Sequence, residues 1–190
     1  MKAGKNNMEE KIRCSWCNLK NPLYVRYHDE EWGSLNLEDH YLFEMLLLES
    51  FQAGLSWECV LNKREAFRSA FDGFDPEKIA AYGEEKQEAL RADPGIIRNR
   101  LKIRAAVTNA GIYLKIREEY GSFAAYLEAF AGKGKIRKER EQTTNALSDA
   151  ISADLKKRGM KFVGSTILYA YLQAVGLINS HEETCWRYQK

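Results

Sequence analysis

Four side chains that commonly bind zinc stand near the two ends of the sequence. Cys14 and His28 lie close to one end, and His181 and Cys185 lie close to the other. Cysteine thiolate and neutral histidine are ligands of tetrahedral zinc, and the spacing of His181 and Cys185 puts both on one face of a helical turn. Cys14 and Cys17 form a single Cys-x2-Cys pair, which alone is weak evidence for a metal. The residues leave two alternatives, a four-ligand site joining both ends of the chain or unliganded thiols.

A carboxylate on an apolar helix face is the second feature. In the helix predicted around Glu49, the residues three, four and seven positions earlier are Leu46, Met45 and Leu42, and these share its face. Glu44 points about 140° away, so the two acids do not share one solvated stripe. A carboxylate in such surroundings finds partners, shifts its pKa or takes part in binding. The alternative is a glutamate at a helix end that reaches solvent.

Five aromatic side chains are available to stack on a flat ligand. They are Trp16, Tyr24, Tyr27, Trp32 and Trp57. Every nucleobase offers a π-face to such rings, although aromatic residues more often belong to the core. Trp57 follows a short break over residues 52–56, which is expected to place it at the edge of a pocket.

The turn predicted over residues 159–164, between two helices, has the composition of an anion site. Gly159 is expected to end the first helix, and Ser165 to cap the second. Gly164 allows a ligand to approach the backbone, and the second helix directs free N–H groups outward. Basic residues including Lys161 surround the turn, so a nucleic-acid phosphate is the expected ligand. A simple interhelical turn with a basic rim fits the same residues.

The elements that hold these residues are predicted to be helices, which gives an all-α fold. The 190 residues include only three prolines, apolar residues recur every three or four positions, and alternating strand patterns are absent. Residues 131–144 form the one charged, linker-like stretch. The predicted helices are Asp39–Ala53, Trp57–Ala66, Pro76–Tyr82, Lys86–Ala92, Gly95–Tyr120, Phe123–Phe130, Asn145–Arg158 and Ser165–Ala174.

Charge and composition narrow the function classes. Residues 1–90 carry a net charge of −6 and residues 91–190 a net charge of +8. A basic half is typical of proteins that bind a polyanion, although solvated helix faces give the same balance. An apolar content of 45% excludes wholesale disorder, and no apolar run is long enough to cross a membrane. The lack of an export signal predicts a cytoplasmic protein with reduced thiols.

Five ordered segments of the chain resemble the type I DNA-3-methyladenine glycosylases. These are bacterial base-excision repair enzymes of the helix-hairpin-helix glycosylase superfamily. The resemblance runs from about Arg13 to Cys185. Family members often have Gly-Gln where this chain has Ser50 and Phe51, beside the candidate acid. The matching segments are 13–16, 22–33, 48–57, 95–100 and 155–164.

The resemblance implies the architecture and the cofactor. It implies a helix-hairpin-helix glycosylase fold, with a flexible extension over residues 1–12 and one monomeric domain of two small helical lobes over residues 13–190. It also implies one structural Zn²⁺ per chain, which ties the two ends together and leaves Cys17 as a spare thiol. The ligands implied are Cys14, His28, His181 and Cys185.

The resemblance also implies roles for the pocket and for the DNA surface. Glu49 is expected to contact the lesion base, with the Tyr27 hydroxyl beside it and Trp57 as the stacking wall. Trp16 and Trp32 complete the aromatic pocket together with Tyr24. The residues expected to contact DNA are Gln52, Gly54, Leu55, Lys161, Gly164 and Ser165, with Leu55 filling the vacated base stack.

The activity implied is release of 3-methyladenine from double-stranded DNA, which gives free base and an abasic site. Glycosylases that also cut the strand carry a lysine just past the hairpin, which forms a Schiff base. Here Ser165 and Thr166 stand in that position, so the enzyme is expected to be monofunctional. Two alternatives stay open: a non-enzymatic helix-hairpin-helix DNA-binding module in which Glu49 is structural, and a glycosylase of broader alkylpurine range.

Overall fold

Ten α-helices follow one another along residues 11–188, the part of the chain that the computed structural model describes. The all-α prediction is confirmed for this part. None of these helices is both long and apolar enough to cross a membrane. The helices are α1 (Pro22–Arg26), α2 (Asp39–Gln52), α3 (Trp57–Leu61), α4 (Arg64–Ala70), α5 (Pro76–Ala80), α6 (Glu84–Ala92), α7 (Arg100–Tyr120), α8 (Phe123–Ala131), α9 (Ala146–Lys157) and α10 (Ser165–Ala174).

Side-chain caps set most of the helix boundaries. Asn145 accepts a hydrogen bond from the Ser148 N–H and begins α9, as its short polar side chain favours. Two predicted boundaries are wrong. The helix predicted from Trp57 onward is interrupted at residues 62–63, so that α3 and α4 are separate. The long helix α7 begins after Asn99, because the Asn99 side chain accepts hydrogen bonds from the N–H groups of Leu101 and Lys102 in its first turn.

Helix α2 lies at the centre of the fold. Ten consecutive residues of it, 42–51, are buried, and it packs against α3, α7, α8 and α10. A helix that is covered on every side brings its polar residues into the core as well as its apolar ones. The chain immediately before it adds a π-helical turn, Tyr27–Glu31, which sequence periodicity did not predict.

The stretch over residues 131–144 is anchored by a short strand pair. Strand β1 (Arg137–Lys138) lies parallel to β2 (Ile178–Asn179). The Arg137 N–H donates to the Leu177 carbonyl at 3.0 Å, and the Glu139 N–H donates to Asn179 at 3.2 Å. This pairing holds the charged stretch against the segment that leads to His181.

The two described ends of the chain meet. Of the extension predicted over residues 1–12, residues 1–10 lie outside the described residues. The Ile12 carbonyl accepts a hydrogen bond from the Trp186 N–H at 2.9 Å, and Glu182 Oε1 accepts from the Ser15 N–H at 2.9 Å. Residues 167 positions apart are therefore neighbours.

The turn between α9 and α10 differs from the prediction in one respect. Gly159 ends α9 with a φ of +103°, as expected. Ser165 does not cap α10: Gly164 is the N-cap residue, and no side chain caps this helix. The Ser165 hydroxyl is instead hydrogen-bonded to Asp149 and, at 2.8 Å, to the Ser148 hydroxyl, both on α9. The hydroxyl therefore joins the two helices.

Candidate active site

A cavity of about 500 Å³ opens beside the C-terminal half of α2. Its size falls within the range of small-molecule pockets. It brings together all six residues predicted for the catalytic and aromatic pocket. The lining residues are Trp16, Tyr24, Tyr27, Trp32, Glu49, Gln52, Trp57, Arg140, Glu141, Ala170, Gln173, Ser180 and Glu182.

Glu49 is a buried carboxylate with one buried oxygen that has no hydrogen-bond partner in the described part of the chain. The residue is 3% exposed, and its Oε2 makes no hydrogen bond within the described part of the chain. Leu42, Met45 and Leu46 are each at most 1% exposed, which confirms the predicted apolar face. Burial raises the pKa of Glu49 to about 8, because a charged carboxylate loses the water that would solvate it. Glu49 therefore has both a free acceptor and a titration close to neutral pH.

Glu44, on the same helix, shows what an ordinary buried acid looks like. It is also 3% exposed, but its Oε1 accepts from Arg64 Nε at 2.6 Å and from Arg68 Nη2 at 2.8 Å. Arg64 additionally binds Glu31 at 2.7 Å, which links α2 and α4 to the π-helical turn. Ion pairs of this kind make burial of a charge tolerable. Buried acids on α2 are therefore not unpaired in general, and the lack of a partner at Glu49 is specific to its position in the cavity.

Tyr27 and Trp57 line the same cavity as Glu49 and contact each other. Their ring centroids lie 5.2 Å apart at 46°. Burial, followed by the nearby charge of Glu49, raises the pKa of Tyr27 well above its usual value, so its hydroxyl keeps its proton. Trp57 Nε1 is a second buried group without a hydrogen-bond partner in the described chain. Ser56 caps α3 and thereby sets the position of Trp57 at its first residue.

Three further aromatic rings line the cavity and contact one another. Trp16 contacts Tyr24 with centroids 5.4 Å apart and Trp32 with centroids 4.7 Å apart, the latter edge to face. Aromatic pairs at these separations prefer such tilted arrangements. A flat ring that enters the cavity therefore meets a lining of aromatic side chains and the Glu49 carboxylate.

The lining of the cavity also contains residues that the sequence did not predict. Arg140 and Glu141 come from the charged stretch that the pairing of β1 with β2 anchors. Ser180 and Glu182 come from the segment between β2 and the end of the chain. The signal in the sequence was the high charge of residues 131–144, but no local pattern connects that stretch to a pocket built by α2.

The four predicted metal ligands form one buried cluster. Cys14, His28, His181 and Cys185 are each at most 4% exposed, and their ligand atoms all lie within 4.8 Å of one another. His181 Nδ1 is 3.4 Å from Cys14 Sγ and 3.5 Å from Cys185 Sγ. Zn–S and Zn–N bonds of about 2.3 and 2.0 Å give tetrahedral edges of roughly 3.5 Å. The donor set and its spacing therefore suit zinc, whereas Cys17 lies outside the cluster.

The second nitrogen of each histidine is held by a polar partner. His28 Nδ1 lies 2.9 Å from Asp29 Oδ1, and His181 Nε2 lies 3.1 Å from the Trp32 carbonyl. Histidines that bind metals make this kind of contact, which fixes the ring orientation. The same rings touch the pocket, since Trp16 lies 5.2 Å from His28 and Trp32 lies 4.6 Å from His181. The histidines of the cluster therefore support the aromatic rings that line the pocket.

Three of the predicted DNA-contacting residues stand at the end of α2 and in the turn that leads to α3. Gln52 lines the cavity. Gly54 has a φ of +78°, a conformation that glycine adopts without strain. Leu55 follows at the tip and is 42% exposed, although an apolar side chain gains nothing from water there. The turn thus presents one apolar side chain outward beside the opening.

The predicted phosphate site over residues 159–164 is open to solvent in part. Lys161 is exposed, and nothing lies within 4 Å of the Cβ position at Gly164. Because no side chain caps α10, its first N–H groups remain available to an anion. The Ser165 hydroxyl, in contrast, is already engaged with α9.

Comparison with known proteins identifies the family. The family model for methyladenine glycosylase matches residues 16–188. The chain belongs to the methyladenine glycosylase family. This methyladenine glycosylase is 46% identical to DNA-3-methyladenine glycosylase 1 of Escherichia coli (strain K12) over 182 residues, which cover 93% of this chain and 96% of that protein.

Solved structures resemble this glycosylase over nearly its whole length. A crystal structure of 3-methyladenine DNA glycosylase I has a TM-score of 0.89 and 44% identity, covering 93% of this chain and all of that one. Another, of a variant with one tyrosine replaced by phenylalanine, is in complex with 3-methyladenine. It has a TM-score of 0.88 and 35% identity, covering 94% of this chain and 98% of that one.

We expect Glu49→Gln to make this glycosylase more stable at alkaline pH. A carboxyl pKa raised from 4.5 to about 8 on folding means that the folded state binds the proton more tightly. Stability is then lost as the pH rises from about 4.5 to about 8. A neutral amide at this position would remove that loss, so the free energy of unfolding of the variant should exceed that of the parent by about 2–5 kcal/mol at pH 8.5, and by little at pH 4.5. Urea unfolding at both pH values measures this difference.

The matched control for that measurement is Glu44→Gln, which changes another buried acid on α2. It should destabilise the protein at both pH values, because Arg64 loses its buried partner. Equal stability of Glu49→Gln and the parent at pH 8.5 would mean that Glu49 is solvated.

Proposed function

We propose that this chain is a monofunctional DNA glycosylase that releases 3-methyladenine from alkylated double-stranded DNA and leaves an abasic site for base-excision repair. One observation carries the proposal: a buried carboxylate, Glu49, with an unpartnered oxygen, in a cavity that is lined mainly by aromatic rings. The relatives bear the name DNA-3-methyladenine glycosylase, and a structural neighbour binds 3-methyladenine, which supports this substrate. The proposed pathway begins with extrusion of the damaged nucleotide from the duplex.

The lesion base suits this pocket because alkylation at a ring nitrogen makes the nucleotide base cationic. Stacked against Trp57, such a ring gains a cation–π attraction of about 1–2 kcal/mol when desolvated. Glu49 faces the same space, and a nearby positive charge lowers the pKa of a carboxyl group. Entry of the lesion is thus expected to ionise Glu49, whose oxygen then accepts a hydrogen bond from the base edge. An unalkylated adenine brings no charge to compensate the buried carboxylate.

The bond-breaking step needs little help from acids. The N-glycosidic bond breaks with its electron pair going to the base, which leaves as neutral 3-methyladenine. Water adds to the sugar carbon and loses a proton, giving the abasic site. A cationic leaving group needs no protonation, and Tyr27 keeps its hydroxyl proton as a donor or acceptor beside the base. Ser165 stands where strand-cutting glycosylases carry a lysine, so no strand cleavage is expected.

We assign zinc to the cluster of Cys14, His28, His181 and Cys185, where it would hold the two ends of the chain together. With four protein ligands, a tetrahedral ion has no open position for water. Zinc bound there supplies structural cross-linking and takes no part in hydrolysis. The residues of the cluster orient Trp16 and Trp32 through their contacts with the two histidine rings.

We assign the DNA surface to two turns. One is the turn after α2, next to Gln52 of the pocket, and the other is the turn over residues 159–164, within a helix-hairpin-helix element formed with α9 and α10. Leu55, with Gln52 and Gly54, would fill the space that the extruded base leaves. The N–H groups at Gly164 and Ser165 would bind a backbone phosphate, and the exposed Lys161 would add its charge. These groups fix the register on the duplex without reading sequence.

We expect Lys161→Ala to weaken binding to an abasic duplex on any sequence. Loss of one phosphate contact should flatten the slope of log affinity against log salt by about one unit or less. Fluorescence anisotropy between 50 and 200 mM salt measures the slope. Lys78→Ala, at an exposed lysine of α5, is the control. An unchanged slope would move the contact to the exposed Arg98 and Arg100.

We further propose that residues 13–190 act as one monomeric domain with two small helical lobes, and that the protein works in the cytoplasm on chromosomal DNA. The base pocket and the metal cluster each use residues from both ends of the chain, so both sites need the whole domain. Analytical ultracentrifugation of the purified chain tests the monomer.

The decisive experiment is base release from methylated duplex DNA, with the released purines separated by chromatography. Release of 3-methyladenine alone supports the proposal, whereas comparable release of 7-methylguanine supports the broader alkylpurine glycosylase. A non-enzymatic binding module would release no base while retaining affinity for abasic DNA. Glu49→Gln is the matched variant: a glycosylase loses rate, but a binding module has no rate to lose.

A further inference from the structure

Lys102 points into the protein, although the sequence places it beside exposed cations. Its neighbours Arg100 and Arg104 are exposed, whereas Lys102 is 6% exposed. Lys102 Nζ donates to the Phe51 carbonyl at 2.8 Å and to the Ala53 carbonyl at 2.6 Å. The ammonium group is therefore bound by backbone carbonyls of the protein itself and is unavailable to a DNA phosphate.

These two carbonyls lie at the end of α2, just before the turn that carries Leu55. The last carbonyls of a helix lack intrahelical donors, and a cation there also interacts favourably with the helix dipole. Leu55 itself is held locally by a single short backbone bond, from its N–H to the Gln52 carbonyl at 2.6 Å. The hydrogen bonds from Lys102 connect the end of α2 and the start of this turn to α7, a helix distant in sequence.

The same face of α7 also holds the other DNA-facing turn. Asn109 is 1% exposed, and its amide group bonds both backbone groups of Lys161, each at 2.9 Å. Residues 102 and 109 are seven apart, so they share a helix face at a separation of about 10 Å. Lys102 Nζ also lies 5.9 Å from the ring of Phe162. Helix α7 thus makes side-chain hydrogen bonds to the backbone of both turns.

We propose that Lys102 is a positioning residue for the strand-intruding turn, and that α7 sets the distance between Leu55 and the phosphate-binding hairpin through Lys102 and Asn109. The inference rests on the proposed function, because it gives Leu55 the task of filling the vacated stack. Lys102 touches neither the base nor the phosphates and acts by fixing where Leu55 enters the duplex. Small displacements of positioning groups have large effects on rate.

The test is a double-mutant cycle of Lys102→Met and Leu55→Ala. Methionine keeps the aliphatic stem and removes the ammonium group. Single-turnover release of 3-methyladenine from methylated duplex should slow about tenfold in either single variant. The rate of the double variant should lie within about twofold of the rate of the slower single variant. Affinity for free 3-methyladenine should stay within about twofold of the parent in all three, since the pocket walls are untouched. Rates that simply multiply in the double variant would overturn the proposal.

Two further variants separate positioning from general effects. Arg104→Met removes an exposed cation two positions along α7 and should leave the rate and the effect of Leu55→Ala unchanged. Lys102→Arg keeps a cationic donor and should restore most of the dependence on Leu55, which also covers the case in which Lys102→Met folds poorly. If Lys102→Met lost affinity for free 3-methyladenine, Lys102 would be supporting the pocket instead, and the proposal would be wrong.

The same cycle measured as affinity for an abasic duplex does not depend on catalysis. Coupling between Lys102 and Leu55 should appear there too, because the plug contacts DNA whether or not a base is in the pocket. A parent protein that releases no base would refute the proposed function alone. An active parent with independent Lys102 and Leu55 effects would refute this inference alone.

Discussion

Cys185→Ala is expected to cost the protein its metal and at least about 3 kcal/mol of unfolding free energy, which corresponds to a fall in Tm of about 6–12 °C for a chain of this size. The reason is geometric: Cys185 Sγ lies 3.5 Å from both His28 Nε2 and His181 Nδ1. Its loss removes one corner of the four-ligand set. Elemental analysis should find one zinc per parent chain and little in the variant.

The same variant is expected to weaken the base pocket as well as the fold. Trp16 and Trp32 rest against the two ligand histidines, so loosening the rings loosens the stack. Free 3-methyladenine should bind more weakly to Cys185→Ala at temperatures well below its Tm. Cys17→Ala is the control, because that buried thiol lies outside the cluster. A metal-free parent with an unchanged Tm would contradict the assignment.

Glu49→Gln is expected to slow release of 3-methyladenine by about 1.5–3 kcal/mol, or roughly 10- to 150-fold. The substitution keeps the shape of the side chain and one hydrogen-bond acceptor, but it removes the negative charge that attracts the cationic lesion base. Free 3-methyladenine should also bind more weakly. Affinity for an abasic duplex should change little, since that product has no base in the pocket. Glu118→Gln, at an exposed acid of α7, controls for loss of one negative charge.

The pH profile gives this prediction a second readout. With the pKa of Glu49 at about 8, the ionised fraction rises with pH until that value and then levels off. If the lesion complex needs the carboxylate, kcat/KM of the parent should follow the same rise, because kcat/KM reports the pKa of the free enzyme. The rise should vanish in Glu49→Gln. An unaltered profile together with an unaltered rate would make the carboxylate structural.

Glu49 could be found from the sequence because the relevant information was local. Leu42, Met45 and Leu46 are fixed relative to it by the period of one helix, and α2 formed with nearly the predicted bounds. What periodicity could not give was the burial of Glu44, which points about 140° away from Glu49 on the same helix. Its partners Arg64 and Arg68 come from another helix, so no pattern within α2 reveals them.

The errors have a common physical origin, which is competition between nearby groups for one side chain. Ser165 was a good N-cap by type, but Ser148 and Asp149 on α9 offer its hydroxyl better partners. Lys102 falls between the exposed Arg100 and Arg104 in the sequence, but two carbonyls at the end of α2 attract its ammonium group. Such partners are distant in sequence, so no local pattern shows them. The place of Arg140 in the pocket lining was missed for the same reason, because β1, which anchors its segment, pairs with the distant strand β2.

The meeting of the chain ends at the cysteine–histidine cluster affects when the protein becomes usable during its synthesis. Cys14 and His28 are made before the helices of the core, whereas His181 and Cys185 are made after them, 167 positions after Cys14 in the case of His181. The helices between them have local contacts and begin to fold as they emerge. The aromatic rings of the base pocket, however, contact the histidines of the cluster, which come from both segments. A nascent chain therefore holds most of its helices while its base pocket is still incomplete, and that pocket is finished only after His181 and Cys185 have left the ribosome.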